Sequence, residues 1–408
     1  MINQGLLERI VLIIIALIVL SQLTVIVLSA ISNHFRRRRQ NVLFPRMAHH
    51  AFTIGKNKVR IFTYGNDLYQ HMLQDIEEAK TRICLESFIW KGDTIGQTFK
   101  DALIKKAQEG VEVYVIFDAF ANLVVRPSFK KFPSSIHSCR YRAWRKVLDI
   151  FDPRRLARDH RKLLVIDDHI GYTGGYNIGD LYGEVWRDTH VRVEGSAANN
   201  LYQTFTTIWN DNVKNGPQLT PNSTVLEPYI RLYTNNPSRL TFPIRSMYID
   251  AIDLAKEQIL LTTPYFVPDR YVLSALIRAA KRGVKVQLIV PEQSNHLLAD
   301  WLARTYFTDC LRQNIRILLY QGAMIHAKTA TIDHTWTTIG SANLDRLSLI
   351  GNHEINLEFF DHKMAKQMEM IFLQDSQYCK EVDYTRWLHR PLTQKLGELV
   401  LSPFWPFL

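Results

Sequence analysis

The sequence that decides the fold is HRKLLVID (His160–Asp167), followed after six residues by GGYN (Gly174–Asn177). The same pattern returns 166 residues later as HAKTATID (His326–Asp333), again followed after six residues by GSAN (Gly340–Asn343). His, Lys, Asp, Gly and Asn therefore recur at identical offsets in both copies. This agreement indicates an internal duplication and predicts two similar structural halves.

A second pair of repeats predicts the layers of each half. FKDALIKKAQEGVEVYVIFD (99–118) aligns without gaps with VLSALIRAAKRGVKVQLIVP (272–291). Each copy reads as an amphipathic helix that ends at Gly110 or Gly283, because glycine suits the left-handed residue after a helix. An apolar strand follows each helix, and another precedes it, at 83–90 and 259–267. Alternating strands and helices are typical of an α/β fold.

These repeats divide the chain of 408 residues into segments. We expect two tandem α/β/α halves related by a pseudo-twofold axis, joined by a turn-rich connection at 215–228. The predicted segments are an N-terminal transmembrane anchor at 1–33, a basic juxtamembrane linker at 34–57, a first half at 58–227, a second half at 228–385, and an interfacial or covering tail at 386–408.

The apolar segment Ile10–Ile31 would form a helix of roughly 33 Å, enough to cross a bilayer. Arg36–Arg39 follow it, and positive charge beside a span stays cytoplasmic. The segment therefore predicts a single-pass protein with its N-terminus outside and residues 34–408 in the cytosol. A cleaved signal peptide is the alternative. It is disfavoured because the apolar run is long and because Glu8 and Arg9 leave the first nine residues without the net positive charge of a signal peptide.

The repeated motif suits the chemistry of one phosphate held between two halves. His and Lys stand two residues apart on a strand, so they share a face in each copy. Two such halves would surround a phosphodiester with imidazole, ammonium and amide groups, and phosphoryl transfer requires chiefly alignment and charge neutralisation. Other histidines, among them His296, have no such repeat and are treated as background.

A carboxylate stands twenty-eight residues after each motif histidine, at Asp188 and Glu354. The shared offset predicts that these two groups orient the imidazoles and fix their tautomers. A pair of surface charges is the alternative interpretation.

Composition restricts the partners. Lys and Arg exceed Asp and Glu by 50 to 39, which favours an anionic partner, and the four separated cysteines suggest neither a disulfide framework nor a zinc site. Residues 126–162 are rich in Arg and Lys, and their aromatic residues would suit a membrane interface, although a solvated loop is equally open. These aromatic residues are Phe129, Phe132, Tyr141, Trp144 and Phe151.

The motifs resemble the phospholipase D superfamily and, more narrowly, the bacterial cardiolipin synthases. The resemblance covers about residues 58–385. The segments that carry it, besides the histidine motifs, are Leu85–Trp90, Thr263–Asp269, Trp186–Asp188, Gly340–Asp345 and Asn352 with Glu354.

The resemblance implies a mechanism. His160 would attack the phosphatidyl phosphorus to form a phosphohistidine, while His326 would protonate the departing alcohol and later deprotonate the acceptor. The expected phosphate ligands are Lys162, Lys328, Asn177, Asn343 and Ser341, with one hydroxyl missing where Gly175 replaces serine. Asp167 and Asp333 belong to the motif, but their alternation predicts structural roles in buried ion pairs. No metal and no cofactor is implied.

The leading functional hypothesis is phosphatidyl transfer between two phosphatidylglycerol molecules, giving cardiolipin and glycerol, at a bacterial inner membrane. Hydrolysis by a phospholipase or a nucleic-acid phosphodiesterase is the second hypothesis. Nucleic acid is disfavoured because both motifs stand in one chain beside lipid-directed features. A catalytically silent membrane scaffold is the third, which the intact His, Lys and Asp residues of both motifs disfavour.

Overall fold

The computed structural model describes residues 44–47, 49–142, 152, 156–213 and 216–391. The predicted anchor at 1–33, the arginine run after it, Trp144 and Phe151 of the basic segment, and residues 392–408 of the predicted tail lie outside these residues. Within the described ranges, no helix is both long enough and apolar enough to cross a bilayer.

The first half is built on an eight-stranded mixed sheet. Its strands are β1 (Phe52–Ile54), β2 (Asn57–Phe62), β3 (Arg82–Ser87), β4 (Glu112–Asp118), β5 (Ile136–Tyr141), β6 (Lys162–Ile166), β7 (Ile170–Gly174), the separate β8 (Trp186–Arg187), and β9 (His190–Glu194). The sheet order is β1-β2-β9-β7-β6-β3-β4-β5. The described helices are α1 (Gly65–Glu78), α2 (Thr94–Gln108), α3 (Asp180–Glu184) and α4 (Ser196–Asn212).

The second half repeats this plan. Its strands are β10 (Ile230–Asn235), β11 (Gln258–Thr262), β12 (Lys285–Pro291), β13 (Arg316–Tyr320), the separate β14 (Met324–Ile325), β15 (Thr329–Ile332), β16 (Trp336–Gly340), β17 (Glu354–Phe360) and β18 (Cys379–Glu381). The order is β10-β17-β16-β15-β11-β12-β13-β18. Its described helices are the 3-10 turn Pro237–Arg239, α5 (Pro243–Leu254), α6 (Arg270–Lys281), α7 (Leu297–Arg312), α8 (Arg346–Ile350), α9 (His362–Ser376) and α10 (Tyr384–Leu388).

The predicted duplication is confirmed by the equivalent strand orders. In both halves the strand before the glycine-ended helix pairs in parallel with the strand after it, β3 with β4 and β11 with β12. Gly110 and Gly283 have the same φ of +91°, in the left-handed region that glycine adopts without strain. Strands β3 and β11 end earlier than predicted, at Ser87 and Thr262, because the chain leaves each sheet there to enter the loops around the site.

The two halves share a hydrophobic core. Buried side chains of β6 and β9, such as Val165 and Val193, belong to the same apolar cluster as Ile355 and Leu357 of β17. The opposite face of the first sheet packs on α1 and α2 through Leu164 and its neighbours. Strand β6 is thus buried on both faces, which explains its unbroken apolar sequence.

One predicted segment differs from the structure. The linker assigned to residues 34–57 is already folded in its last part, since β1 begins at Phe52 and the ring of Phe44 lies 5.8 Å from that of Tyr64. The first half therefore begins before residue 58. The boundary between the halves at 227 and 228 stays a prediction.

Short segments exchanged between the halves place the two motif histidines. Strand β8 of the first half pairs in parallel with β14 of the second, and the amide of His326 donates to the carbonyl of Arg187 at 2.7 Å. In the equivalent place, the amide of His160 donates to the carbonyl of His353 at 3.1 Å. Each histidine is thus held by backbone from the opposite half.

Candidate active site

Both motif imidazoles line one cleft of about 380 Å³ between the halves. The residues around this cleft are Phe88, Ile89, Lys91, His160, Asn177, Leu181, Tyr182, Trp186, Tyr265, Gln293, Ser294, Asn295, His296, Met324 and His326. A single phosphate in this space would meet one imidazole from each half.

Each imidazole is hydrogen-bonded to the carboxylate of the opposite half. Nδ1 of His160 lies 2.9 Å from Oε1 of Glu354, and Nδ1 of His326 lies 2.6 Å from Oδ2 of Asp188. The partners are crossed because β8 and β17 carry their carboxylates to the neighbouring half. Since a carboxylate accepts, Nδ1–H donates in each pair and Nε2 is left as the basic nitrogen.

Burial determines the charge state of the two imidazoles. It lowers the pKa of His160, an effect that Glu354 partly opposes, and it lowers the pKa of His326 well below its usual range, with Lys328 acting in the same direction. These shifts favour the neutral form of both rings near pH 7. A neutral imidazole is the form that can attack phosphorus, and a bound anion would favour protonation of its neighbour.

The two motif lysines lie behind the imidazoles. Nζ of Lys162 donates to the carbonyl of His160 at 2.5 Å, and Nζ of Lys328 donates to the carbonyl of His326. Burial lowers the pKa of Lys162 to about 7 and that of Lys328 to about 8, although Glu354 and Asp188 oppose the shift. These ammonium groups would supply positive charge close to a phosphate only while they stay protonated.

We expect binding of a phosphodiester anion to weaken as the pH rises through about 7 to 8, because these lysines lose their charge above pKa values of about 7 and 8. Diethyl phosphate, which remains a monoanion over this range, is a suitable competitive inhibitor, and its inhibition constant should rise with pH. Lys328→Arg is the control, since arginine stays protonated and should flatten the upper part of the profile. An inhibition constant independent of pH would contradict this role.

The motif aspartates occupy hairpin turns at the far end of their strands. Asp167 accepts hydrogen bonds from the amides of Lys80, Thr81 and Arg82 at 2.8–2.9 Å. Asp333 accepts from the amides of residues 256–258 at 2.7–2.9 Å. The predicted buried ion pairs are therefore wrong: these carboxylates fix the start of β3 and β11 through backbone amides.

The predicted phosphate ligands Asn177, Asn343 and Ser341 do not have equivalent surroundings. Asn177 lines the cleft, and its Oδ1 accepts from the amide of Ile89 at 3.2 Å, which leaves its NH2 group as a donor. Asn343 is buried, and its Oδ1 has no hydrogen-bond partner among the described residues. The Ser341 hydroxyl instead donates to Glu354, so it supports the carboxylate that holds His160.

The first half has Gly175 at the position equivalent to Ser341, and the reason is steric. A Cβ at Gly175 would lie 2.6 Å from Cγ of Asp188 and would overlap its carboxylate oxygens. The sequence comparison suggested a missing phosphate ligand at this position. The structure corrects this interpretation, because the space is filled by the carboxylate that holds His326.

We therefore expect Gly175→Ala to reduce turnover about 10²-fold, as displacement of an orienting carboxylate would. Steady-state turnover measures this effect, with thermal unfolding as a check that the protein is folded. Ser341→Ala is the matched control at the equivalent position, and it removes one hydrogen bond to Glu354 and one from the amide of Ile355 without adding bulk. Equal activity of Gly175→Ala and the wild type would show that the position of Asp188 is unimportant.

Aromatic side chains enclose the imidazoles. They lie in segments that carry the family resemblance, although the sequence analysis assigned them no role. The ring of Phe88 lies 4.6 Å from that of His160, while Trp186 and Tyr265 lie 4.9 and 6.2 Å from His326. His296, treated as background, also lines the cleft. The signal that could have found it is its place after β12, because ligands bind beyond the carboxyl ends of parallel strands.

The prediction that the aromatic residues of the basic segment form a membrane interface is also corrected by the structure. Phe129 and Phe132 pack on Trp90 with ring centroids 5.9 and 5.7 Å apart, and Tyr141 is buried. Phe129 and Phe132 are half-buried against the core and Tyr141 is within it, so these three rings do not form an exposed interface. In the described part of the chain, no group of three or more His, Cys, Asp or Glu residues is arranged to hold a metal ion.

The repeat seen in the fold is matched by a family model described as the cardiolipin synthase, phospholipase D-like domain, which covers residues 72–209 and again 248–376. Each match contains one histidine motif and one orienting carboxylate. The chain belongs to this cardiolipin synthase family. This finding confirms the resemblance stated from the motifs and the interpretation of the chain as an enzyme.

Curated members of the cardiolipin synthase family are similar over most of the chain. The major cardiolipin synthase ClsA of Bacillus subtilis is 33% identical over 383 residues, which cover 88% of this chain and 77% of that protein. Cardiolipin synthase 1 of Staphylococcus aureus is 32% identical over 376 residues, which cover 88% and 75%.

A solved structure supports the fold. The phosphatidylserine synthase of Haemophilus influenzae superposes with a TM-score of 0.66 at 16% identity, over 91% of this chain and 96% of that one. At this identity the likeness concerns the arrangement of the two α/β halves alone.

Proposed function

We propose that this protein is a cardiolipin synthase that transfers a phosphatidyl group from one phosphatidylglycerol to another and releases glycerol. The observation that carries the proposal is the single cleft lined by His160 and His326, each with its Nδ1 on a carboxylate. Membership of the cardiolipin synthase family and the names of its curated relatives support the choice of lipid.

In the first step, Nε2 of His160 attacks the phosphorus of phosphatidylglycerol. The bond from phosphorus to the glycerol oxygen breaks, and protonated His326 gives its proton to that oxygen. The products are a phosphatidyl group bonded to His160 and free glycerol, and His326 is left neutral.

In the second step, the hydroxyl of a second phosphatidylglycerol enters beside His326. His326 takes the hydroxyl proton as the oxygen attacks phosphorus, and the bond between phosphorus and His160 breaks. Cardiolipin leaves, and both imidazoles return to their starting states. Lys162, Lys328 and the amide of Asn177 would neutralise and orient the phosphate oxygens during both steps.

The proposal places this reaction on the cytoplasmic side of a bacterial inner membrane. The apolar segment Ile10–Ile31 and the arginines after it support a single-pass anchor of that orientation. The net charge of +11 supports an anionic lipid surface as the working environment.

The test incubates the purified full chain with phosphatidylglycerol vesicles and resolves the products by mass spectrometry. Cardiolipin and glycerol in equal amounts are the expected result. Phosphatidic acid with no cardiolipin would contradict the proposal and indicate a hydrolase that uses water. A parallel incubation with single-stranded DNA should show no cleavage.

A further inference from the structure

The two walls of the cleft differ in polarity. Apart from the motif residues His160 and Asn177, the wall from the first half is mainly apolar and aromatic, with Lys91 as its cation; its other members are Phe88, Ile89, Leu181, Tyr182 and Trp186. The facing wall from the second half, apart from Met324, presents a continuous run of polar side chains. This run is Gln293, Ser294, Asn295 and His296, backed by Tyr265.

The reaction at phosphorus does not require this difference, because the histidines and carboxylates themselves are nearly symmetric. A phospholipid has a matching difference in polarity, since one ester oxygen of its phosphate leads to the apolar diacyl part and the other to the polar headgroup. We propose that the wall at 293–296 is a subsite for a polyol, the glycerol headgroup that leaves and the glycerol hydroxyls of the acceptor. This inference rests on the proposed function.

The polar wall is held in place, and the ring of Tyr265 links it to the ring of His326. The amide of Ser294 donates to the carboxylate of Asp300 at 3.0 Å, and the hydroxyl of Tyr265 donates to Oδ1 of Asn295 at 2.5 Å. The ring of Tyr265 lies 5.5 Å from that of His296 and 6.2 Å from that of His326. A polyol on this wall therefore has its reacting oxygen next to His326, the group proposed to exchange a proton with it.

The experiment measures the choice between two small acceptors. Phosphatidylglycerol vesicles are incubated with the full chain, ¹³C-labelled glycerol and ethanol, and the ratio of labelled phosphatidylglycerol to phosphatidylethanol is measured. Because both alcohols compete in the same reaction, the ratio reports acceptor recognition and is independent of the donor step. Gln293→Leu and Asn295→Leu should each lower the ratio about three- to tenfold, as loss of a hydrogen bond to a neutral hydroxyl does.

Leu181→Ala on the opposite wall is the matched control and should leave the ratio within about twofold of the wild type. An unchanged ratio in both polar variants would overturn the polyol subsite while leaving the proposed function intact. A wild-type protein that forms only phosphatidic acid would instead overturn the proposed function, so the two failures are distinguishable.

A second proposal concerns an exposed surface near the cleft and rests on a different observation. The segment 119–142 contains three exposed apolar side chains, Phe120, Leu123 and Val124, at 52, 63 and 84% exposure. It contains no Asp or Glu, and its cations are Arg126, Lys130, Lys131, Arg140 and Arg142. Exposed apolar groups among uncompensated positive charge are suited to an anionic bilayer.

This segment is fixed to the residues that line the cleft. Nδ2 of Asn122 donates to the carbonyl of Phe88, and its Oδ1 accepts from the amide of Trp90, both at 2.8 Å. We infer that Phe120, Leu123 and Val124 insert into the headgroup region of an anionic membrane and so bring the cleft to its lipid substrate.

Depth-dependent quenching tests this inference in the full chain. Leu123→Cys is labelled with an environment-sensitive fluorophore in a Cys379→Ser background, because the other three cysteines are buried. In phosphatidylglycerol vesicles, nitroxides on the acyl chains should quench this label. Leu254→Cys is the control, since Leu254 is 76% exposed and precedes β11 at the end of the sheet remote from the cleft. Equal quenching at both sites, or none at residue 123, would overturn the inference.

Discussion

His160→Gln and His326→Gln are each expected to lower cardiolipin formation by at least about 10⁴-fold, because glutamine can neither bond to phosphorus nor carry a proton at neutral pH. The two variants should differ with a nitrophenyl phosphodiester, whose leaving group needs no proton. His326→Gln should release one equivalent of nitrophenol in a burst, whereas His160→Gln should release none.

Mass spectrometry of the products and rapid-mixing absorbance measure the two effects. Thermal unfolding shows whether each variant is folded. A nitrophenol burst from His160→Gln would contradict its assignment as the nucleophile. Cardiolipin formation at near-normal rates in either variant would contradict the two-histidine mechanism itself.

Asp188→Asn and Glu354→Gln should each reduce turnover by about 10²- to 10⁴-fold, since an amide no longer fixes the tautomer that leaves Nε2 basic. The crossed hydrogen bonds determine which carboxylate variant should behave like which histidine variant. Asp188→Asn should behave like His326→Gln and keep the nitrophenol burst, although Asp188 lies in the same half as His160. Glu354→Gln should lose the burst, as His160→Gln does.

The reverse grouping would show that each carboxylate acts within its own half, against the crossed geometry. Asp361→Asn is a suitable control, because Asp361 caps α9 away from the cleft by accepting from the amide of Met364 at 2.9 Å. It should leave stability nearly unchanged, because asparagine caps a helix about as well as aspartate, and it should not change the burst.

The sequence predicted the two-half architecture well, because the repeated motifs keep the same spacing in both copies. The aligned segments that end at Gly110 and Gly283 predicted a strand, a helix and a second strand in each half. The two-residue spacing of His and Lys likewise placed a strand in each motif, where β6 and β15 lie. These features depend on local periodicity, which a single sequence displays directly.

The crossed contacts could not be predicted in the same way. An offset of twenty-eight residues identifies Asp188 and Glu354 as equivalent, but it does not say which imidazole each one reaches. That depends on the pairing of β8 with β14 between the two halves. The hydroxyl of Ser341 was also assigned wrongly, to phosphate, although it donates to Glu354 of its own half.

Side chains on loops were the other source of error. Phe129 and Tyr141 lie among many cations in the sequence, yet Tyr141 is buried in the core and Phe129 is half-buried against it. The residues at 293–296 carry no repeat, and only their position after β12 brings them to the cleft. Composition indicates that a loop is polar or basic, but not which of its side chains the fold covers.

The most direct test of the central claim is a crystal structure of the protein with vanadate, which adopts the geometry of a phosphoryl group in transfer. The account predicts one vanadium in the cleft, bonded to Nε2 of His160, with its opposite apical oxygen within about 2.6–3.2 Å of Nε2 of His326. Vanadate held by only one of these imidazoles, with the other turned away from it, would contradict the account.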